Sequence, residues 1–453
     1  MDDLSTALAS FWTASGQGPC PQISLTGPVP EDKSAFANST AAVASAASVV
    51  AALSELTGKD PDPLDPSLVL ANLTTHLTID GTAPPKWAPL SGLYRTGDDR
   101  FVQLHCNFDH HAAGAAARLG VTQERAAFES AIAAWDAFEL EAVLIDDGMI
   151  CAAYRTLAEW ASHAHAGAVR DLPLVTTTPL GAGGPKNVDL NTDQPLAGVR
   201  VLDCSRVLAG PAAGQTLANL GADVLRVGAA HLPHVELCVI ATGTGKRNTF
   251  VDLRVEAERQ VFADLVRDAD VVIDAFRPGA LASFGFSPEE IARVSPSTSV
   301  VQICAFDWIG PWAGRRGFDS IVQSTTGIAL AGAQMCGAEV PTHLPVQTLD
   351  YATGFFAAAS AIRAVHRREQ GNGSTNAKLS LIRTRNWMVN LGVPKEFTPG
   401  AITPDPTQLG TLKSPYGVVE LVKPFIGEWL SAPNRLGTAT PTWRELRTVP
   451  VHR

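Results

Sequence analysis

From residue 199 onward the chain alternates short runs of β-branched and aliphatic residues with segments of helical spacing, and this rhythm constrains the fold more than any other feature. It predicts strands at 199–203, 223–227, 250–253, 271–274, 299–305 and 376–381. Helices are predicted at 211–220, 255–267, 288–294, 320–331 and 350–368. Strands this short and this uniformly apolar need cover on both faces, which helical crossovers in a parallel sheet supply. The expected class is α/β: a Rossmann-like parallel sheet forms a large domain over 195–392, with a smaller α+β domain beside it. In such sheets ligands bind beyond the carboxyl ends of the strands, where loops enter helices.

Upstream the pattern differs. Residues 1–85 read as a helical and irregular region with one Ala-rich helix at 39–56, broken afterwards by Pro61, Pro63 and Pro66. Residues 86–180 read as the smaller α+β domain, with a turn at Gly97-Asp98-Asp99, a strand at 100–105, and helices at 124–135, 139–147 and 158–164. The Gly-rich, polar stretch 181–194 is expected to be a linker. The Pro-rich tail 393–453 is assigned no elements.

Composition narrows the partners. Among 453 residues, 45% are hydrophobic and 18% charged, and the formal net charge is -10. That balance excludes nucleic acid or an anionic membrane held by bulk electrostatics. Seven scattered cysteines, an odd number without C-x-x-C spacing, point to a reducing compartment and no structural zinc. With an acidic start at Met1-Asp2-Asp3 and no run of 18 apolar residues, the expected location is the cytoplasm, without a membrane partner.

Several motifs carry candidate chemistry. The segment from Arg206 to Pro211 follows the first strand of the large domain and opens a helix, where free N–H groups suit an anion such as a diphosphate; a tight turn without ligand is an equal reading. Gly243-Thr244-Gly245-Lys246-Arg247-Asn248 fails as a phosphate-binding ATPase loop. Ile240 stands where the first Gly is required and Arg247 where Ser or Thr is required, and Asn248 spoils a dinucleotide fingerprint. What remains is a Lys246-Arg247 pair that either holds a 3′-phosphate or forms a solvated basic turn. Phe276-Arg277-Pro278-Gly279 offers an aromatic face and a guanidinium, or a plain helix-entry turn. Asp319 reads as a cap for its own helix. Asp350, at the head of an apolar helix, reads as a cap or as a nucleophile, ionised near neutral pH by the helix dipole. His105, His110 and His111 lack the spacing of a metal set, so no metal is expected.

Taken together, seven strings resemble family III CoA-transferases, the group that includes formyl-CoA transferase-like, carnitine CoA-transferase-like and α-methylacyl-CoA racemase proteins. They are PLAGVRVLD (195–203), SRVLAGP (205–211), LGADVLRV (220–227), GKRN with VDL (245–253), ADVVIDAFRPGAL with FGFSPE (269–289), GPWAGRRGFDSIVQ (310–323) and LDYATGFFAA (349–358). The resemblance implies that Asp350 becomes acylated and that Arg206, Arg226, Lys246, Arg247, Phe276 and Arg277 line the CoA nucleotide. It further implies acyl-CoA and a small carboxylic acid as substrates, CoA entering as substrate with no permanently bound cofactor, and a homodimer of interlocked chains. The amides of 351–354 are expected to stabilise the oxyanions.

Two departures stand out. The racemases carry Gly-His-Asp with a proton-transferring His, and here Phe318 occupies that place in Gly317-Phe318-Asp319, which disfavours racemisation. The order is also unusual, since the large-domain opening begins only at 195. The chain is either permuted or the remnant of a tandem pair whose first large domain has decayed into 1–85. The expected function is CoA transfer through an aspartyl intermediate; the alternatives are an acyl-CoA racemase or isomerase, or an inactive CoA-binding protein.

Overall fold

The structure is a computed structural model that describes residues 3–16, 18–188 and 193–445. An early strand, β1 (Leu77–Ile79), is followed by an antiparallel sheet of β2 (Gly92–Arg95), β3 (Phe101–Leu104) and β4 (Cys151–Ala153). A seven-stranded sheet then contains β5 (Val175–Pro179), β6 (Arg200–Cys204), β7 (Asp223–Gly228), β8 (Arg247–Phe250), β9 (Val271–Asp274), β10 (Ser299–Cys304) and β11 (Thr375–Ser380). Near the C-terminus the hairpin of β12 (Leu409–Ser414) and β13 (Gly417–Val422) adds β1 as its third strand.

The large sheet runs β5-β11-β10-β9-β6-β7-β8, with β5 antiparallel and the other six parallel. Numbered along the chain, those six lie in the spatial order 3-2-1-4-5-6 of doubly wound nucleotide-binding sheets, and the order reverses between β6 and β9. Their side chains alternate between two cores. Val201, Val271, Ile273 and Val301 face one, whereas Leu202, Cys204, Val272 and Val300 face the other. The helices Ala209–Asn219 and Thr348–Glu369 cover the first face and Glu256–Asp268 covers the second. The mixed α/β class with a large parallel sheet is therefore as the sequence predicts.

The N-terminal helices belong to the large domain's first face. Asn38–Thr57 lies along Thr348–Glu369, and both present alanines that let the backbones approach. Phe11 stacks on Phe356 with centroids 4.9 Å apart, Trp387 Nε1 donates to Ala7 O at 3.2 Å, and Arg363 Nε pairs with Glu55 Oε2 at 2.9 Å. Asn38–Thr57 has a mean hydropathy of 1.4 over its 18-residue window, long and apolar enough to cross a bilayer, yet 72% of that window is buried inside the protein. Its scattered serines kept it from reading as one apolar run.

Other differences have local causes. The helix expected at 320–331 is two, Asp319–Thr325 and Ile328–Cys336, because Gly327 adopts φ 88°. A Cβ there would lie 2.6 Å from Leu157 N. Strand β8 begins three residues before the predicted 250, since polar Arg247 and Asn248 join the ladder with their side chains satisfied by Asp223 and Asn434 O. β5 falls within 86–180 but pairs with β11 of the large sheet. The stretch after it lies against that sheet, with Ser374 N–H donating to Gly181 O at 2.8 Å; residues 189–192 of 181–194 lie outside the described residues. The smaller unit, β2–β4 with Asp109–Leu119, Arg125–Ile132 and Ala137–Asp146, has a core of Tyr94, Val102, Leu104, Phe128, Leu140 and Leu144.

Candidate active site

A cavity of about 310 Å³ opens at the carboxyl ends of β6, β9 and β10, where the strand order reverses. Its floor is the segment 206–210 and its sides are Phe276, Arg277, Ile303, Cys304 and Ala305. The smaller unit contributes Phe108, His110, His111 and Ile150, and the loop before Asp319–Thr325 contributes Arg315 to Phe318. Among the described residues on its wall, Asp350 is the one acid.

The floor is held in an unusual conformation. Val207, a β-branched residue, has φ 72°, where L-residues are seldom found. Gly210 permits this turn, since a Cβ there would sit 2.3 Å from Ser205 Cβ. Beneath it, Ser205 Oγ donates to Asp203, and Lys246 Nζ donates to Asp203 Oδ2 at 3.1 Å and to Pro211 O at 3.0 Å. The helix Ala209–Asn219 has no side-chain cap, Ala209 and Gly210 of its first turn line the cavity, and Pro211 has no N–H to offer. That geometry favours an anion.

Asp350 is the third residue of Thr348–Glu369 and is 6% exposed. Its N–H donates to Asp319 Oδ2 at 2.9 Å. Asp319 therefore caps the neighbouring helix and leaves its own without a side-chain cap, contrary to the sequence expectation. Gln323 pins Asp319 in place, because its Oε1 accepts from Leu344 N–H at 2.7 Å while its Nε2 donates to Asp319 Oδ1. Burial pushes the Asp319 carboxyl up to about 6. Burial first, and the Asp319 charge second, hold Asp350 well above the usual carboxylate range. The expectation of an ionised Asp350 is thus corrected: a dry site and a second carboxylate outweigh the helix dipole. The amides expected to stabilise oxyanions are also engaged, as Tyr351 N–H donates to Gln347 O at 3.1 Å and the following amides lie within the helix.

Of the other residues singled out from the sequence, Arg206, Phe276 and Arg277 line the cavity with Asp350. Arg226 stands behind Arg206 at a small adjoining void, 6% exposed and with Nη1 lacking a partner. Lys246 borders the same void, but at 3% exposure its ammonium is spent on Asp203 and Pro211 O. Arg247 points away and clasps Asp223 with both Nη2 contacts at 3.0 Å. Neither member of the Lys246-Arg247 pair is a free phosphate ligand in this geometry.

Sequence reasoning missed Arg316 and the cover. Burial, followed by Arg226, Arg277 and Arg316, lowers the Arg206 guanidinium, and Arg316 is lowered by burial and Arg277. Such a cluster of cations at one mouth suits a multiply charged anion. Phe318 stacks on His105 with centroids 3.9 Å apart, and burial lowers His105 to about 4 and His111 to about 3, so both imidazoles are neutral. The adjacent Arg315-Arg316 pair and the His-rich 105–111 stretch were the available signals, separated by some 200 residues of sequence.

Residues 196–421 match the family model described as CoA-transferase family III. That segment of the chain belongs to this family. The chain is 32% identical over 217 residues to the acetyl-coenzyme A transferase nodX of Hypoxylon pulicicidum, covering 47% of this chain and 37% of that one. It is 35% identical over 203 residues to the succinate–glutarate CoA-transferase of Agrobacterium fabrum, covering 40% and 50%. A crystal structure of a CAIB/BAIF family protein from Brucella suis aligns at 27% identity and TM-score 0.38 over 50% of this chain and 65% of the other. The chain spans about half the length or less of these curated relatives. The match covers the six parallel strands of the large sheet together with Asp350 and the arginines, while β5 and the cover supplied by Phe108, His110 and His111 lie outside it.

Proposed function

We propose that this protein transfers CoA between an acyl-CoA and a carboxylic acid, with Asp350 as the group that is acylated. The observation that carries the reading is the placement of Asp350: one buried acid on the wall of a cavity otherwise apolar around it and cationic at its mouth. CoA enters as substrate and no resident cofactor is invoked. Arg206, Arg277 and Arg316 would meet its phosphates, and Phe276 its adenine. The acids exchanged by relatives such as the succinate–glutarate enzyme set a class, small carboxylic acids, without naming this chain's own.

The chemistry balances without ATP. A deprotonated Asp350 oxygen attacks the thioester carbonyl, the C–S bond breaks, and CoA thiolate leaves a mixed anhydride. The thiolate then attacks the aspartyl carbonyl of that anhydride, releasing the donor carboxylate and leaving an aspartyl–CoA thioester. The acceptor carboxylate attacks this thioester, thiolate leaves, and thiolate attack on the acceptor's acyl carbonyl returns Asp350 as carboxylate. The amides of Ala209 and Gly210 are the donors closest in kind to what the oxyanions need. Burial and the neighbouring Asp319 charge oppose the ionisation that Asp350 needs, so turnover is expected to rise with pH as Asp350 loses its proton. Racemisation and loss of activity are not favoured by the named relatives, which are transferases by name.

Mass spectrometry after incubation with a panel of acyl-CoAs, with hydroxylamine trapping and peptide mapping, tests the reading. Wild type should acquire a hydroxylamine-sensitive adduct on Asp350, and Asp350→Asn none. An adduct-free wild type that still turns over acyl-CoA would refute it. On its scattered thiols we place the protein in the cytoplasm.

A further inference from the structure

The first turn of Thr348–Glu369, which carries Asp350, is held by three separate parts of the chain. Asp319 Oδ2 accepts from the Asp350 N–H at 2.9 Å, within the segment that the family model matches. The other two contacts come from the region before residue 85, outside that segment. Thr348 Oγ1 donates to Asn38 Oδ1, and Tyr351 Oη shares a hydrogen bond with Thr75 Oγ1 at 3.0 Å. Thr348 and Tyr351 flank Asp350 in sequence, and all four partners are buried.

Both contacts are kept in places where simple packing would favour something else. Thr75 is β-branched and has φ 50°, in the left-handed region that such residues seldom enter. It sits in the turn between the helix Pro66–Asn72 and β1, and that turn is pinned on each side. Asn72 Nδ2 donates to Lys423 O at 2.9 Å, Lys86 Nζ donates to Thr74 O at 2.9 Å, and β1 pairs with β13. Backbone of this kind persists only where its surroundings over-determine it, and it concentrates at working sites. Asn38 is fully enclosed with Nδ2 lacking a partner, so an amide stands where an apolar side chain would avoid the desolvation cost. Further along the same two helices, Arg363 Nε pairs with Glu55 Oε2. Asn38–Thr57 and Thr348–Glu369 therefore run parallel, tied near both ends, which fixes the axial register of the helix that carries Asp350. The bond from Thr75 to Tyr351 opposes its rotation.

We propose that Asn38 and Thr75 are positioning residues for the reaction at Asp350: the region before residue 85 sets where that carboxylate stands in the cavity. Neither residue lines the cavity itself. Misplacing a reacting group by about 1 Å costs on the order of a hundredfold in rate. Arg206, Phe276 and Arg277 stand on other loops, so loss of these contacts should fall on the covalent step and spare binding. The proposal rests on the reading of Asp350 as the group that is acylated.

Thr75→Val and Tyr351→Phe remove the same hydrogen bond with little change of shape, and Thr75→Ser keeps the hydroxyl. Each of the first two should slow single-turnover acylation of Asp350 by about tenfold or more, and the double variant no further than either alone. CoA affinity in calorimetry should stay as in wild type, and Thr75→Ser should recover most of the rate. Thr348→Val, which breaks the Asn38 contact from the helix side, should show the same split between rate and affinity; a wild-type rate there would return Asn38 to packing alone. Wild-type acylation in Thr75→Val or Tyr351→Phe would overturn the proposal, and so would an equal loss of CoA affinity, the mark of a purely structural contact. A second measurement does not depend on acylation. Hydrogen exchange of the Asp350 and Tyr351 amides should quicken by about tenfold in Tyr351→Phe, while the amides of 356–363 keep their wild-type protection; unaltered exchange in the first turn overturns the proposal. A wild type that forms no Asp350 adduct sinks the nucleophile reading instead, and the exchange rates then decide whether Thr75 fixes the turn.

Discussion

Replacing Asp319 by Asn should change how stability depends on pH, in a direction the geometry fixes. In the folded protein burial raises Asp319 from 3.8 to about 6. A carboxyl raised on folding favours the native state below its unfolded value, and that contribution is lost as pH rises through the folded value. At ~1.4 kcal/mol per unit the loss is roughly 3 kcal/mol between pH 4 and pH 8. Asn does not titrate and escapes it. Asn also has one carbonyl to serve two donors, Asp350 N–H and Gln323 Nε2, and Gln323 cannot turn without giving up Leu344 N–H. One hydrogen bond is therefore forfeited at every pH, costing ~1–3 kcal/mol. Asp319→Asn should be the less stable protein at pH 4 and equal or more stable at pH 8. Urea unfolding midpoints at half-unit pH steps read this directly. A stability difference that stays constant from pH 4 to pH 8 would refute the buried-pair argument. In parallel, the acid limb of Asp350 adduct formation should move to lower pH, because the neighbouring charge that helps to raise Asp350 is gone.

Lys246→Met should lower stability by ~3–5 kcal/mol by leaving Asp203 buried without its cation, with Asp203→Asn in the same chain recovering part of the loss. The ratio of CoA to dephospho-CoA affinity should stay as in wild type, and a selective loss of CoA would return Lys246 to a phosphate role. Glu141→Gln strands two buried guanidiniums, so a loss of at least ~3 kcal/mol and faster limited proteolysis between the two units are expected; unchanged protease resistance would mean that the ion triad does not hold the cover. Gly354→Val should destabilise the packing of Thr348–Glu369 on Ala209–Asn219 and lower adduct formation, since even a Cβ at 354 lies 2.5 Å from Ala209 O; normal expression and thermal midpoint would show that the floor has room to move.

The large sheet was legible because its signal is local. Val271, Val272 and Ile273, or Val300, Val301 and Ile303, declare a two-faced strand within four or five residues. The segments 206–211 and Phe276-Arg277 could be singled out as strand-end loops from the sequence, while their meeting at one cavity follows from the spatial strand order. What the sequence concealed is tertiary pairing between distant polar groups. Lys246 is written like a phosphate ligand, in a Gly loop beside Arg247, and only the burial of Asp203 beneath the same loop reassigns its charge. Asp319 is written like a helix cap, and it is one, but for the helix that begins 29 residues later. Asp350 carries the consequence: a carboxylate at a helix N-terminus would ionise readily in water, yet its amide is answered by a second carboxylate in a dry cavity. Under the transfer reading proposed above, Asp350 has to give up its proton before it can attack, against both its burial and the Asp319 charge. The arrangement demands that something else carry positive charge into reach at the moment of attack, and the arginines converging on the cavity, Arg206, Arg277 and Arg316, are the groups that an incoming acyl-CoA would organise there.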